Sequence, residues 1–123
     1  MGTFTVPIQV GDALGRQWET VEAYADTGAH FGSLPRLIWE RLGLTAVDTA
    51  TTLLADGSRR DEELAEARVR IGVRNVATLV VLGEEDTPVI LGAYAMEGLR
   101  LAADPVNQRL VPMPIIPNLR QQP

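Results

Sequence analysis

From Phe4 to Val10 apolar residues fall at every second position (Phe4, Val6, Ile8, Val10), with Thr5, Pro7 and Gln9 between them. A period of two puts every apolar side chain on one face of an extended strand, so this stretch reads as a strand that covers a core from one side. The turn-forming run Gly11–Gly15 follows, and alternation resumes between Gln17 and Ala25, with Val21, Ala23 and Ala25 on one side. The opening of the chain is therefore a β-hairpin that delivers the backbone to Asp26. Proline has no N–H to give to a ladder, which places Pro7 and its strand at a sheet edge.

The same pattern recurs downstream with interruptions. Leu34–Gly43 reads as a short helix, with Pro35 suited to its first turn, Gly43 to its end, and Leu34, Leu37, Ile38 and Leu42 on one face. A second hairpin runs from Thr49 through a tip at Asp56-Gly57-Ser58 and back along Ala65, Ala67, Val69 and Ile71, whose intervening Glu66, Arg68 and Arg70 mark a water-facing side. Val76–Leu82 is an apolar run of strand length, Gly83–Thr87 an acidic loop, and Pro88–Gly92 a further buried strand. Ala93–Leu99 has room for two helical turns, and Leu101–Ala103 and Arg109–Met113 flank the turn Asp104–Gln108. The expected architecture is mostly β, many short strands with one or two short helices, in a small closed or folded-over sheet. Residues 1–113 are expected to form one domain, and the Pro-rich tail 114–123 an extended segment.

Composition then removes most chemistry. Cysteine is absent, so disulfides, thiolate metal sites and cysteine nucleophiles are excluded. The single histidine, His30, leaves few histidine-based metal cages or triads open. A net charge of −5, with every one of the 11 bases an arginine, argues against nucleic acid as the main partner. No segment approaches the roughly 20 apolar residues of a membrane span. The amino terminus carries no basic stretch or apolar run of signal-peptide length, and Val6 stands where a myristoylation signal needs Ser or Thr. The cytoplasm is the expected location. The acidic residues Glu84–Asp86 read as solvated surface rather than a metal site, and Trp18, Tyr24, Trp39 and Tyr94 as packing residues.

Asp26 remains. An aspartate at the end of an apolar strand, followed at once by Thr27 and Gly28, is poorly explained by core packing, although Asp-Thr-Gly alone also makes a good turn. In this chain, Ala25-Asp26-Thr27-Gly28-Ala29 resembles the catalytic loop of retropepsin-like aspartic peptidases. Several further segments resemble bacterial members of that group, in the right order: Ser33-Leu34-Pro35 with the helix ending at Gly43-Leu44, Leu54-Ala55-Asp56-Gly57 at the flap position, Val89-Ile90-Leu91-Gly92, and Leu101–Pro112 as a closing hairpin. Two departures concern substrate choice: His30 stands where that family more often has Ser, Thr or Asp, and the Asp56-Gly57-Ser58 tip is less glycine-rich than a viral flap.

The resemblance implies a closed acid-protease-type barrel that acts as a two-fold homodimer, hydrolysing peptide bonds of a peptide or protein substrate without metal or cofactor. Each subunit would supply one Asp26, so that the pair activates a water. Thr27 would reach across to the other loop and Gly28 would permit close backbone approach. Ala29 and His30, with Ala55, Asp56, Gly57 and Ser58 of the flap, would line the substrate groove. Ile90, Leu91 and Gly92 would be structural, with Gly92 packed beside the loop or serving only as a strand-to-helix turn. The alternative for the tip is an ordinary solvated hairpin, and for His30 a surface or satisfied core histidine. The rival for the whole chain is a catalytically inactive dimer of the same fold that binds an extended peptide as a scaffold.

Overall fold

The computed structural model describes residues 4–113; the expected extended tail 114–123 lies outside the described residues, as do residues 1–3. In chain order the elements are β1 (Phe4–Asp12), β2 (Trp18–Ala25), β3 (Gly32–Leu34), α1 (Arg36–Arg41), β4 (Asp48–Leu53), β5 (Arg59–Ile71), β6 (Arg74–Leu82), β7 (Ile90–Leu91), α2 (Ala93–Gly98), β8 (Leu101–Asp104) and β9 (Arg109–Pro112). The chain is mostly β with two short helices, as its patterning predicts.

Seven strands form one sheet in the order β1-β2-β7-β3-β6-β5-β4, and β8 and β9 pair separately. β1 also pairs with β5 through Gln9–Asp12, so the sheet folds over on itself. The apolar alternation identified in β1 and β2 faces the enclosed side: Phe4, Ile8, Val10, Ala23 and Ala25 are all buried. Ala65, Ala67 and Val69 of β5 oppose them, while Ile38, Leu42, Leu91, Ala95, Met96 and Leu99 complete the same core. The β1–β2 hairpin runs in register from Phe4↔Ala25 to Gly11↔Trp18. Its turn is held by Asp12, whose Oδ1 accepts the N–H groups of Arg16 at 2.7 Å and Gln17 at 3.0 Å. These bonds hold the Asp12 carboxyl below its ordinary range.

The structure departs from the sequence reading at several places, each for a local reason. β1 is an edge strand over only part of its length. Phe4–Ile8, including Pro7, pair with β2 alone, whereas Gln9–Asp12 have a neighbour on both sides. The first helix begins at Arg36, because Leu34 is taken into β3, where it pairs with Leu82 of β6. With fewer than two turns, α1 buries Ile38, Leu42 packs just beyond its end, and Leu37 is left 63% exposed. The Pro88–Gly92 strand is reduced to Ile90–Leu91, wedged between parallel β2 and antiparallel β3. Of the four aromatic residues expected to pack, Trp18 and Trp39 are half-buried, but Tyr24 and Tyr94 are exposed. No helix among the described residues is long and apolar enough to cross a membrane.

Candidate active site

Asp26 stands where β2 ends. Its N–H donates to the Leu91 carbonyl at 3.0 Å and that of Tyr24 to Val89 at 2.9 Å, so the parallel β2–β7 ladder carries one residue past the strand and fixes the start of the loop. The chain then turns: the Ala29 N–H donates to the Asp26 carbonyl at 3.2 Å, and the Gly28 N–H donates to Asp26 Oδ1 at 2.9 Å. One carboxylate oxygen is thus oriented by its own turn. By strand alternation Ala23 and Ala25 enter the core while Tyr24 faces out, and Asp26 follows on the outward side. It is half-buried, at the boundary between core and solvent; Thr27, Gly28 and His30 are exposed and Ala29 is half-buried.

The far side of the loop is pinned by α2. This helix has no side-chain cap, since its N-cap is Gly92. Two of its first N–H groups find loop carbonyls instead: Ala93 donates to Ala29 at 2.7 Å and Tyr94 to His30 at 3.1 Å. So close an approach leaves no space at Gly92, where a Cβ would lie 2.7 Å from the Phe31 carbonyl carbon and 2.8 Å from the Gly32 nitrogen. Gly32 meets the same constraint against the carbonyl oxygen of Ile90. The Tyr94 ring packs edge-on against His30 and Phe31, with centroids 6.0 and 5.4 Å apart, making a small aromatic cluster beside the loop.

Residues 55–58 form the tip of the β4–β5 hairpin. Leu54 N–H donates to Ser58 at 2.8 Å, Gly57 N–H to Leu54 at 2.9 Å, and Gly57 adopts φ +87°, a region that glycine enters without strain. Asp56 Oδ1 accepts both the hydroxyl and the N–H of Ser58. Those bonds, the hydroxyl foremost, hold its carboxyl below the ordinary 3.8. Ala55, Asp56, Gly57 and Ser58 are all exposed, and only Ala50 of β4 and Glu62 in the first five residues of β5 are half-buried. This arm therefore stands clear of the core. Among the described residues no hydrogen bond joins the tip to loop 26–30; the two communicate through the sheet, by way of β5, β6, β3 and β7.

Ile90 and Leu91 lie beside the Asp26 loop, Leu91 pairing with Ala25 and buried, Ile90 pairing with Tyr24. The sequence reading missed the groups that hold the approach to β7. Ser33 Oγ donates to the Pro88 carbonyl at 2.7 Å, Trp39 Nε1–H to Gly83 at 2.8 Å, and Arg36 bonds Glu84 at 2.8 Å. Gly32, the first residue of β3, is a signal of close backbone contact that the sequence carried beside Gly92. The acidic residues Glu84–Asp86 are exposed, Glu84 pairing with Arg36, and no three carboxylates or histidines among the described residues converge as a metal cage would.

No protein-family model matches the chain, and no curated protein matches it in sequence. Solved structures do. The solution structure of Simian Foamy Virus (mac) protease is similar over 76% of this chain and 94% of its own, with a TM-score of 0.52 and 16% identity. EIAV protease in complex with the inhibitor HBY-793 is similar over 80% of this chain and 88% of its own, with a TM-score of 0.54 and 19% identity. The retroviral protease-like domain of Ddi1 from Leishmania major is similar over 94% of this chain and 91% of its own, with a TM-score of 0.58 and 18% identity. At such identities the likeness concerns the fold, and the fold of this chain is retropepsin-like.

Proposed function

We propose that the protein is an aspartic endopeptidase whose active centre forms when two copies bring their Asp26 carboxylates together. The observation that carries this reading is the placing of Asp26: outside the core, at the outward end of a sheet strand, with Oδ1 held by the Gly28 N–H at 2.9 Å, in a fold shared with proteases. On this reading the folded-over sheet is a closed acid-protease-type barrel, and two such barrels meet about a two-fold axis.

Two carboxylates in contact cannot both ionise, so one keeps a proton while the other accepts one; this is the general behaviour of aspartic-protease dyads. The ionised member takes a proton from a water between them, and the water oxygen attacks the peptide carbonyl carbon. The protonated member hydrogen-bonds the carbonyl oxygen as negative charge develops there. Collapse of the tetrahedral adduct breaks the C–N bond and expels the amine, whose nitrogen takes the proton that the first carboxyl had accepted from water, so that the pair again holds one proton. The β4–β5 arm closes over the extended substrate as a flap, with Ala55–Ser58 at its tip, and Ala29 and His30 border the groove. Support comes from the arm's exposure on both strands and from its ordered tip.

The test is Asp26→Asn, which keeps the shape of the side chain but cannot take a proton from water. Peptide hydrolysis is expected to be lost while the circular-dichroism spectrum and the oligomeric state are retained. Wild-type activity is expected to follow a bell-shaped pH profile on the acid side of neutrality, to be blocked by a pepstatin-type inhibitor and to resist a chelator. Hydrolysis by the purified variant at near wild-type rate refutes the assignment. An inactive wild type that still binds an extended peptide selects the scaffold reading instead.

A further inference from the structure

Ala67 and Val69 of β5 are buried in the core, so strand alternation turns Arg68 and Arg70 to the outer face of the sheet. Their neighbours hold both guanidinium groups in place. Arg70 lies over the ring of Trp18, 3.9 Å from its centroid, and its Nε donates to Gln9 Oε1 at 2.8 Å. Arg68 Nε donates to Asn75 Oδ1 at 3.0 Å. The Trp18 ring is itself placed: it rests against Gly11, where a Cβ would stand 2.8 Å from ring atom Cε3, and its Nε1–H donates to the Gly15 carbonyl at 2.9 Å.

What distinguishes this pair is the kind of group that holds it. Arg36, Arg41, Arg60 and Arg109 each pair with a carboxylate. Arg68 and Arg70 are oriented by neutral amides instead, and among the described residues no carboxylate forms an ion pair with either. Even Glu66, the next outward residue of β5, is exposed and makes no such pair. Both amide bonds use Nε, so the Nη groups that form the guanidinium fork have no partner among the described residues. An amide orients a guanidinium without cancelling its charge. Two positive charges are thus held side by side in a chain whose net charge is −5. Cation–π contact with Trp18 accounts for the position of Arg70, but not for a second uncompensated arginine on the same strand face.

Residues two apart on a strand stand about 7 Å apart, which is also the distance between alternate side chains of an extended peptide. A segment lying along β5 with acids at alternate positions would therefore set one carboxylate on each guanidinium, in charge-assisted contacts through the Nη groups. We propose that Arg68 and Arg70, beside the Trp18 ring, dock an acidic extended segment of a partner protein. Trp18 opens β2 and Asp26 follows its opposite end, so the inference stands apart from the reading of Asp26.

The experiment is fluorescence anisotropy of a labelled eight-residue peptide of alternating Glu and Thr, titrated with the full chain at low ionic strength. Binding is expected to weaken about 10-fold with Arg68→Gln and with Arg70→Gln. It should also weaken as sodium chloride is added, and the matching peptide of Gln and Thr should not bind. Arg59→Gln removes the same charge from the exposed β4–β5 arm and is expected to bind as the wild type does, as is Asp26→Asn. Circular dichroism and thermal unfolding report whether each variant keeps its fold. If Arg70→Gln does not, Arg68→Gln, which leaves the contact of Arg70 with Trp18 in place, decides alone. No binding by the wild type, undiminished binding by the folded glutamine variants, or an equal loss with Arg59→Gln overturns the proposal. So does an oligo-uridylate of equal charge that binds as tightly, which would make the patch a phosphate site. A loss with Asp26→Asn would put the peptide at the candidate active site and overturn it too, without touching the reading of Asp26.

Discussion

The place of Asp26, at a strand end and opening a turn, was legible in the sequence because what marks it is local: an alternating strand ends, and Asp-Thr-Gly supplies turn chemistry at that point. The structure adds what the string of letters could not, that Gly32 and Gly92 hold β7 and α2 against the loop by having no side chain. Gly32→Ala would drive a methyl group into the backbone carbonyl of Ile90, which no side-chain rotation relieves. A loss of about 1–3 kcal/mol is expected, as for other overpacking changes. Urea unfolding checks it, and an unchanged midpoint would mean that the two strands separate freely. The exposure of Tyr24 and Tyr94 was not foreseen, because aromatic character marks a large apolar body and says nothing about which face of a strand or helix carries it. His30 shows the same limit: its place after the loop is read directly, while its edge contact with Tyr94 depends on a helix formed more than sixty residues later.

The strands defined by their own alternation, β1, β2 and β5, emerged close to their expected bounds, and so did α2 and the β8–β9 hairpin. β3 did not, since three residues carry no period and owe their state to β6 and β7, which are remote in sequence. Leu37 was assigned to the wrong side for the reason that shortened α1: β3 took Leu34 and with it the first turn of the expected face. One tie between elements escapes any pattern. Arg41 at the end of α1 bonds Glu19 of β2 through Nε at 2.8 Å and also through Nη2, and this guanidinium holds the Glu19 carboxyl below its ordinary 4.5. A depressed carboxyl stabilises the fold above its unfolded value, and the contribution is lost as pH falls through the folded value. The Arg41 partner is 53% exposed, so solvent screens the pair and the effect is small. Glu19→Gln is expected to lower the Tm by no more than a few degrees at pH 7. Wild type and variant should converge well below pH 4.5, and a gap that persists there would assign the effect to packing instead.

The chain as a whole presents one Asp-Thr-Gly, and the proposed chemistry needs two. Activity should therefore depend on concentration in a way that a complete single-chain site would not. On serial dilution, the rate per mole of chain is expected to fall, approaching a square-law dependence of total rate on protein once the dimer dissociates. Stopped assays over a wide dilution series measure this directly; a rate strictly proportional to chain concentration down to the lowest level detected would set the dimeric mechanism aside. The mostly β class and the existence of the two hairpins could be read from periodicity. A closed or folded-over sheet was expected from the many short strands, but the register that folds it was not, because Gln9–Asp12 meet Ala67–Arg70 in a pairing that neither segment declares alone.

The parallel pairing of β2 with β7 also bears on how the molecule comes into being. Tyr24 and Ala25 have their partners in Ile90 and Leu91, and Ala29 and His30 accept bonds from the residues just after them. Such distant pairings close late, after the intervening loops have been gathered. During synthesis the segment around Asp26 leaves the ribosome well before Ile90–Tyr94 exist to hold it. Its carboxylate is then only a side chain on a loose hairpin. A nascent chain thus gains an ordered Asp26 loop only after the segment through Tyr94 has emerged, so the order of the candidate site comes later than the loop's own residues.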